Sequence, residues 1–330
     1  MAFTFIDLFA GIGGIRIPFD EIGGKCVFTS EWDKFAQKTY SSNFGEMPHG
    51  DITQIAPEEI PSFDLLLAGF PCQPFSHAGL KKGFGDTRGT LFFNIANIIE
   101  LHRPKAVFLE NVKGLLGHDK GRTFAMIKKV LEEDLGYTVH YKVHNAKDFG
   151  VPQNRQRIFI IALRDNFDFE FAEISNIPVK VGDILEKEVE DKYTISDKLW
   201  AGAQRRKEEH KAKGNGFGYS LFTNDSPYTS TISARYYKDG SEILIAQDNK
   251  NPRKLTPREA ARLQGFPENY KITVSDVQAY KQFGNAVAVP AIRSVALQLA
   301  PYLNPAFDEK SFTESVFTPV DNTLALELAA

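Results

Sequence analysis

Three short stretches hold side chains whose types and spacing suit covalent chemistry on a polarised substrate. The first, AGFPCQPFSHAGLKKGFGDTRGT (68–90), carries Cys72, one of only two cysteines in 330 residues. Pro71 restricts the backbone before it, and Gln73, Ser76, His77, Lys81 and Lys82 make its surroundings polar. A partly exposed, electropositive setting lowers a thiol's pKa and supplies thiolate, the nucleophilic form. The alternative role for an unpaired cysteine is a small buried hydrophobe. Residues 74–90 are rich in glycine and lack helical or strand periodicity, which predicts a lid that closes over substrate. The second stretch, FLENVKG, ends an apolar run in Glu110, a carboxylate that is costly to bury without a partner. The third, VPQNRQRIFII, sets Arg155 and Arg157 two apart at the entry of a strand, and so on one face. One of them is expected to pair with Glu110 and the other with a substrate carbonyl or phosphate; a plain structural salt bridge is the alternative.

A fourth stretch suits a nucleotide-like ligand. FTFIDLFAGIGG closes a strand near Asp7 and supplies Gly11, Gly13 and Gly14 before a helix. Glycines let the backbone approach a ligand closely and leave helix-terminal N–H groups pointing at it. Glu31 closes the next strand about 20 residues on, where nucleotide-binding folds place the carboxylate that accepts from ribose hydroxyls. The glycines read G-x-G-G, so the dinucleotide fingerprint is absent and a nicotinamide cofactor is disfavoured. An adenosine-bearing ligand without a pyrophosphate fits better, and S-adenosyl-L-methionine is the candidate. Asp51, in HGDIT after a third short strand-like stretch, is expected at the adenine amino group, with Phe9 and Trp32 on either side of the ring. Each aromatic has core packing as its alternative.

These groups need a scaffold that gathers strand ends. FTFIDLF (3–9), KCVFTS (25–30), DLLLAGF (64–70), AVFLEN (106–111), YTVHYKVHNA (137–146) and RIFIIALR (157–164) read as strands, with helical spacing at 32–44, 91–102 and 122–136 between them. Such alternation predicts an α/β fold with a doubly wound, mostly parallel sheet. From about 170 the pattern changes. Residues 187–255 are basic and turn-rich, and predict a helix followed by short strands in a second, smaller domain. Helical spacing returns in LTPREAARLQGF (255–266), and 280–303 reads as a helix packed back on the first domain. The division expected is 1–178 plus 280–330 against 179–279, with no structure assigned beyond about 305. Hydrophobic content of 42%, charged content of 25% and a net charge of −3 are ordinary for a globular chain. They leave room for a local basic face. Two distant cysteines argue against a disulfide framework, no run approaches the roughly 18 apolar residues of a membrane span, and no secretory leader or regulatory N-terminal extension is read. A soluble, cytoplasmic, metal-free protein is expected.

Taken together, DLFAGIGG, GFPCQPFS, ENVKG, QNRQRIF, LTPREAARLQGFP and YKQFGNAV follow the order of motifs in C5-cytosine DNA methyltransferases. The chain resembles bacterial enzymes of the restriction–modification type from residue 4 to about 300. The resemblance implies an S-adenosylmethionine-dependent methyltransferase of Rossmann-like fold that yields S-adenosyl-L-homocysteine. It implies Cys72 as the nucleophile at cytosine C6, Glu110 at N3 and N4, Arg157 at O2, and Arg155 supporting it. It also implies cofactor contacts by Phe9, Gly11, Gly13, Gly14, Glu31, Trp32, Asp51, Ile52, Pro71, Asn285 and Val287. Ala286 departs from the commoner GNSV, so one cofactor hydroxyl contact is expected to be missing. C5 and C6 are out of reach inside a stacked duplex, so the cytosine must be flipped out.

The target reader is expected within 198–245. Arg205 and Arg206 suit phosphate contacts, Ser76 lies in the lid, and Thr231 of STIS matches a threonine found in the family's recognition regions. Arg235, Tyr236, Tyr237 and Lys238 are the candidates for reaching bases, arginine on guanine being the commonest specific contact. For the basic helix, a solvated face is the alternative. GNGFGYSLF and TISARYYKDGSEILI resemble the readers of enzymes acting within CCWGG or CCNGG. The implied partners are double-stranded DNA and a cognate restriction endonuclease that shares the target without a stable complex; the chain is expected to be monomeric. An RNA cytosine-C5 methyltransferase and a catalytically silent DNA-binding regulator are the competing readings. The size of 185–255 weighs against the first, and the joint presence of Cys72, Glu110 and Arg157 against the second.

Overall fold

The computed structural model describes residues 3–71, 91–172 and 178–308. The six apolar runs form one sheet: β1 (Phe3–Leu8), β2 (Gly24–Ser30), β3 (Leu65–Gly69), β4 (Ala106–Val112), β5 (Thr138–Asn145) and β6 (Gln156–Leu163), in the order β2-β1-β3-β4-β6-β5. β1 pairs in parallel with β2 and β3, and β3 with β4. β6 runs antiparallel to both β4 and β5. From β5 the chain turns back through one short 3-10 turn, Ala146–Phe149, instead of a crossover helix. A link that short closes only an antiparallel pair. The sheet is therefore mostly parallel with one reversed strand.

Strand alternation divides the apolar residues between two layers. Phe5, Leu65, Leu67 and Phe108 face one cluster, completed by α1 (Arg16–Glu21) and α8 (Val289–Leu303). Ile6, Leu66, Ala68 and Val107 face the other, completed by α3 (Leu91–His102) and α4 (Arg122–Lys129). Both faces are covered, which is why the strands read as continuous apolar runs. The helix expected over 122–136 is α4 continued by a π-helical turn, Val130–Asp134. α2 (Lys34–Phe44) starts where the Asp33 carboxylate accepts from the Ala36 N–H at 2.8 Å and stops at Gly45, φ +76°. The short strand expected before Asp51 is a single bridge between Ser30 and His49, followed by a 3-10 turn, Ile52–Gln54.

The second region carries α5 (Asp197–Ala212), a small sheet of β7 (Leu221–Phe222), β8 (Leu244–Gln247) and β9 (Lys250–Arg253), then α6 (Pro257–Leu263) and α7 (Asp276–Asn285). Thr256 and Glu259 form a capping box at the start of α6, and Glu259 also holds Arg253 with two bonds of 2.7 and 2.8 Å. A third core cluster joins this region to the first: Ile12, Ile17 and Ala36 pack with Tyr236, Leu263, Tyr280 and Phe283. The expected boundary at 279/280 falls inside α7, so it cuts a helix whose residues serve this shared core. The single helix expected over 280–303 is two, α7 and α8, bent by 41°. Pro290 explains the break. Within one continuous helix its ring would meet the carbonyl four residues back, whereas in the first turn of α8 its missing N–H has no partner to lose. Among the described residues no single helix is long and apolar enough to cross a membrane.

Candidate active site

A cavity of about 860 Å³ opens where β1, β2, β3 and β4 end, and its walls also draw on the start of β6, residues 234–237 and α7. Its lining is charged. Glu31, Asp33 and Asp51 follow the end of β2, Arg157 meets Glu110 where β6 starts and β4 ends, and Arg155, Arg235 and Lys281 come from the turn before β6, the segment after Ile232 and α7.

The carboxylate side is built from the glycine turn. Phe9 and Gly11 both adopt left-handed backbone, φ +55° and +56°. At Gly11 nothing lies within 4 Å of an added Cβ, so it is the backbone conformation and not crowding that favours glycine there. Its N–H donates to Glu31 Oε2 at 2.8 Å, and the Asp33 N–H donates to Oε1 at 2.7 Å. Burial raises the Glu31 pKa, and those two amides pull it back. Trp32 is 78% exposed beside it, with its ring open to the cavity. Asp51 accepts from the Thr53 N–H at 2.9 Å and lines the wall with the buried Ile52. Gly14, Pro71, Asn285 and Val287 line it as well. An open aromatic face, a carboxylate pinned by backbone amides and two more carboxylates suit an adenosine bearing a cationic side chain, so these residues fit S-adenosyl-L-methionine.

The other side is built by the reversed strand. Because β6 is antiparallel, its first residues lie beside the last residues of β4, and Arg157 pairs across from Val112. Arg157 Nε reaches Glu110 Oε1 at 3.0 Å. Glu110 is buried, and desolvation pushes its carboxyl above the usual range while Arg157 and Arg155 oppose the shift. Gly69 stands next to Glu110 in the sheet; an added Cβ there would lie 3.4 Å from Glu110 Oε2 and 3.1 Å from Ile15. The Asn111 amide donates to the Phe70 carbonyl at 2.8 Å and so fixes the exit of β3 toward Pro71.

Several expectations need correction. Of the two arginines it is Arg157 that meets Glu110. Arg155 is buried, and its guanidinium donates to the carbonyls of Ile232 (3.2 Å), Gly284 (3.1 Å) and Ala286 (2.5 Å). Those bonds tie Arg155 to the backbone of the recognition segment and α7, in keeping with the supporting role the resemblance implies, while its Nε has no partner among the described residues. Gly13 is not part of the cavity wall: its left-handed backbone, φ +79°, favours glycine, and an added Cβ would lie 2.3 Å from the Phe44 ring. Tyr236 is 0% exposed, donates to the Ile243 carbonyl at 2.7 Å and accepts from the Leu255 N–H. It is a core residue and cannot reach a base. Arg235 and Tyr237 line the catalytic cavity, whereas Lys238 is exposed outside it. Thr231 donates to the Asn154 carbonyl at 2.6 Å, tying the recognition segment to the strand that carries Arg157. Arg205 and Arg206 are exposed on α5, facing Glu209 (3.5 Å) and Asp239 (3.4 Å). Cys72, Ser76 and the expected lid lie outside the described residues. The second cysteine, Cys26, is buried, and burial pushes its thiol up to about 12. It is a packing residue.

Sequence reasoning missed two members of this framework. Gln153, fully buried, accepts from the Ile232 N–H at 3.0 Å and donates to the Leu263 carbonyl at 3.0 Å. Gly284 lies so close to the recognition segment that an added Cβ would stand 2.3 Å from Ser233 backbone. Nothing local in QNR or FGN marks either role, since both partners lie far along the chain.

Comparison with known proteins agrees with this geometry. The sequence profile of the family described as C-5 cytosine-specific DNA methylase matches residues 3–300. The chain is 59% identical over 312 residues to the Type II methyltransferase M.DsaV of Dactylococcopsis salina, covering 93% of this chain and 89% of that protein. It is 61% identical over 307 residues to M1.ScrFI of Lactococcus lactis subsp. cremoris, covering 91% and 79%. Among solved structures, the Entamoeba histolytica methyltransferase EhMeth shares the fold with a TM-score of 0.74 at 21% identity, covering 94% of this chain and 100% of that one. Matched along almost its full length, and with the paired carboxylate and arginine at the ends of β4 and β6, the chain belongs to the C-5 cytosine-specific DNA methylase family.

Proposed function

We propose that this C5-cytosine DNA methyltransferase acts on a flipped cytosine through Cys72, Glu110 and Arg157, beside S-adenosyl-L-methionine held by Glu31, Trp32 and Asp51. The observation that carries the reading is the buried Glu110–Arg157 pair facing a carboxylate-lined half of the same cavity. The carboxylates suit a cationic cofactor, and the arginines suit a polyanion. Pro71 lines the cavity and Cys72 follows it directly, while Cys26 is buried and unreactive; both points support Cys72 as the nucleophile.

The Cys72 thiolate adds to C6, and the ring electron pair moves to C5 while N3 takes up a proton. A carboxyl whose pKa is raised by burial shares a proton with N3 more readily than an exposed one. Arg157 holds that carboxyl and faces O2. The bound cofactor supplies an electrophilic methyl group to C5. Loss of the C5 proton to base then expels the thiolate and restores the C5–C6 double bond, and N3 returns its proton to the Glu110 carboxylate.

Resemblance of GNGFGYSLF and TISARYYKDGSEILI (214–222 and 231–245) supports a target within CCWGG or CCNGG, and the Type II methyltransferases among the relatives support a restriction–modification setting; double-stranded DNA as the partner, a cognate endonuclease, a monomer and the cytoplasm belong to the same reading. Methyl transfer from labelled S-adenosyl-L-methionine to mixed duplex DNA, with bisulfite mapping of products, tests the reading. Product at the inner cytosine of either sequence supports it, and product elsewhere keeps the chemistry and discards the target. Transfer to RNA alone overturns the substrate. Cys72→Ser is expected to abolish turnover while duplex and cofactor binding persist.

A further inference from the structure

The mouth of the cavity carries two cations that the proposed chemistry does not use. Arg235, exposed, and Lys281, half-buried, both line it on the recognition side. Lys281 Nζ stands 5.2 Å from the centre of the Tyr237 ring, which lines the same wall between them. Among the described residues neither cation has an ion-pair partner, because the acids nearby are engaged elsewhere. Glu242 accepts from the Ser233 hydroxyl at 2.7 Å, Asp239 faces Arg206 at 3.4 Å, and Asp276 accepts from the Tyr193 hydroxyl at 3.0 Å. The segment bearing Arg235 is also held rigidly. Gln153 and Arg155 bond Ile232 from below, and Gly284 admits the Ser233 backbone at a distance no side chain would allow.

We propose that Arg235 and Lys281 form a phosphate clamp that positions the extruded nucleotide. A cytosine entering this cavity leads with its base, so its backbone phosphates stay at the mouth, where two uncompensated cations wait. Cations aimed at phosphates fix register and carry no base information. Arg235 thus acts on the flipped nucleotide itself, in place of the guanine edge expected from sequence. The clamp rests on the DNA reading given above. Its residues are positioning residues, separate from the Glu110–Arg157 pair.

The test uses the full chain and a duplex bearing the sequence at which the parent is mapped to methylate. A single neutral methylphosphonate is moved through the phosphates flanking the target cytosine. Single-turnover rate, duplex affinity and salt dependence are measured for the parent, Lys281→Met, Arg235→Met and Arg235→Lys. In the parent, one or two flanking positions are expected to slow transfer on the order of tenfold. In Lys281→Met or Arg235→Met, already slow, the same substitution adds little. Each methionine variant is expected to lower the salt slope by about one with base preference unchanged, and Arg235→Lys to recover most of the rate. Equal fractional losses in parent and variants at every position overturn the clamp, as does a changed base preference in Arg235→Met, which would make Arg235 a base reader. A parent that labels no duplex overturns both clamp and DNA reading, whereas an active parent with additive variants overturns the clamp alone.

Discussion

In the carboxylate half of the cavity, Glu31 is held by Gly11, 20 positions away, and by Asp33, two positions away. In the arginine half, Arg155 binds carbonyls 77, 129 and 131 positions away. The first half is a strand–turn–helix unit that carries its own hydrogen bonds. The second is assembled from β4, a reversed β6, the recognition segment and α7, none of which supplies the geometry alone. A locally built half should lose ligand affinity when altered, with the fold intact. A half assembled across the chain should lose chemistry or stability, because each side chain there holds up several segments.

Between the two halves, the largest effect is expected at Glu110. Glu110→Gln should lower the single-turnover rate at least about a hundredfold while cofactor affinity stays within a factor of about two. A comparable loss of cofactor affinity would merge the two halves into one unit. Arg155→Met comes next, since it takes the side-chain donor from the Ile232 and Gly284 carbonyls and leaves the Ala286 carbonyl only its longer bond from Gln264. Urea unfolding should show a loss of about 2–3 kcal/mol, and an unchanged midpoint would mean that the arginine half is not held together through this residue. Glu31→Ala should weaken S-adenosyl-L-homocysteine about ten- to a hundredfold by calorimetry, with turnover recovering at saturating cofactor. Unrecovered turnover would break the division.

The smallest effect is expected at Asp7, behind the carboxylate half. Its buried side chain has no hydrogen-bond partner among the described residues, and burial pushes its pKa up to about 8, with Glu31, Asp20 and Glu46 adding to the rise and Arg16 opposing it. A raised acid pKa means that the folded chain keeps a proton the unfolded chain has released. This contribution to stability is therefore full below the model-peptide value of 3.8 and is lost as pH rises toward about 8. Asp7→Asn should lack that decline and melt a few degrees above the parent at pH 8. Equal melting profiles across this window would show that burial, with the neighbouring carboxylates, does not keep Asp7 protonated in the folded chain.

What was legible follows the same division. The inner strands β1, β3, β4 and β6 stood out because both faces of the sheet are covered there, so each is apolar almost throughout, whereas the edge strand β5 mixes polar residues into its run. Gly11 and Glu31 stood out because turn chemistry is local. Tyr236 was misread as a base contact because ARYYKD looks polar, while its ring packs against Tyr280 at 5.1 Å and its hydroxyl is used in the core. Gly13 was misread because a glycine beside a ligand and a glycine under an aromatic ring look alike in sequence.

The sequence by itself determined the strands and the glycine turn with its carboxylate, which rest on periodicity and on backbone conformations that neighbouring residues impose; the roles expected of Cys72 and Glu110 toward a cytosine rest on the family resemblance. Only the tertiary structure decided that Arg157, not Arg155, meets Glu110, and that Arg235 and Lys281 share the mouth of one cavity. Those outcomes depend on the direction of β6, which places its first residues beside the end of β4, and on carbonyls brought to Arg155 from more than 70 positions away. Strand direction and long-range packing are set by how the whole chain closes its cores, and no local window of sequence contains that information.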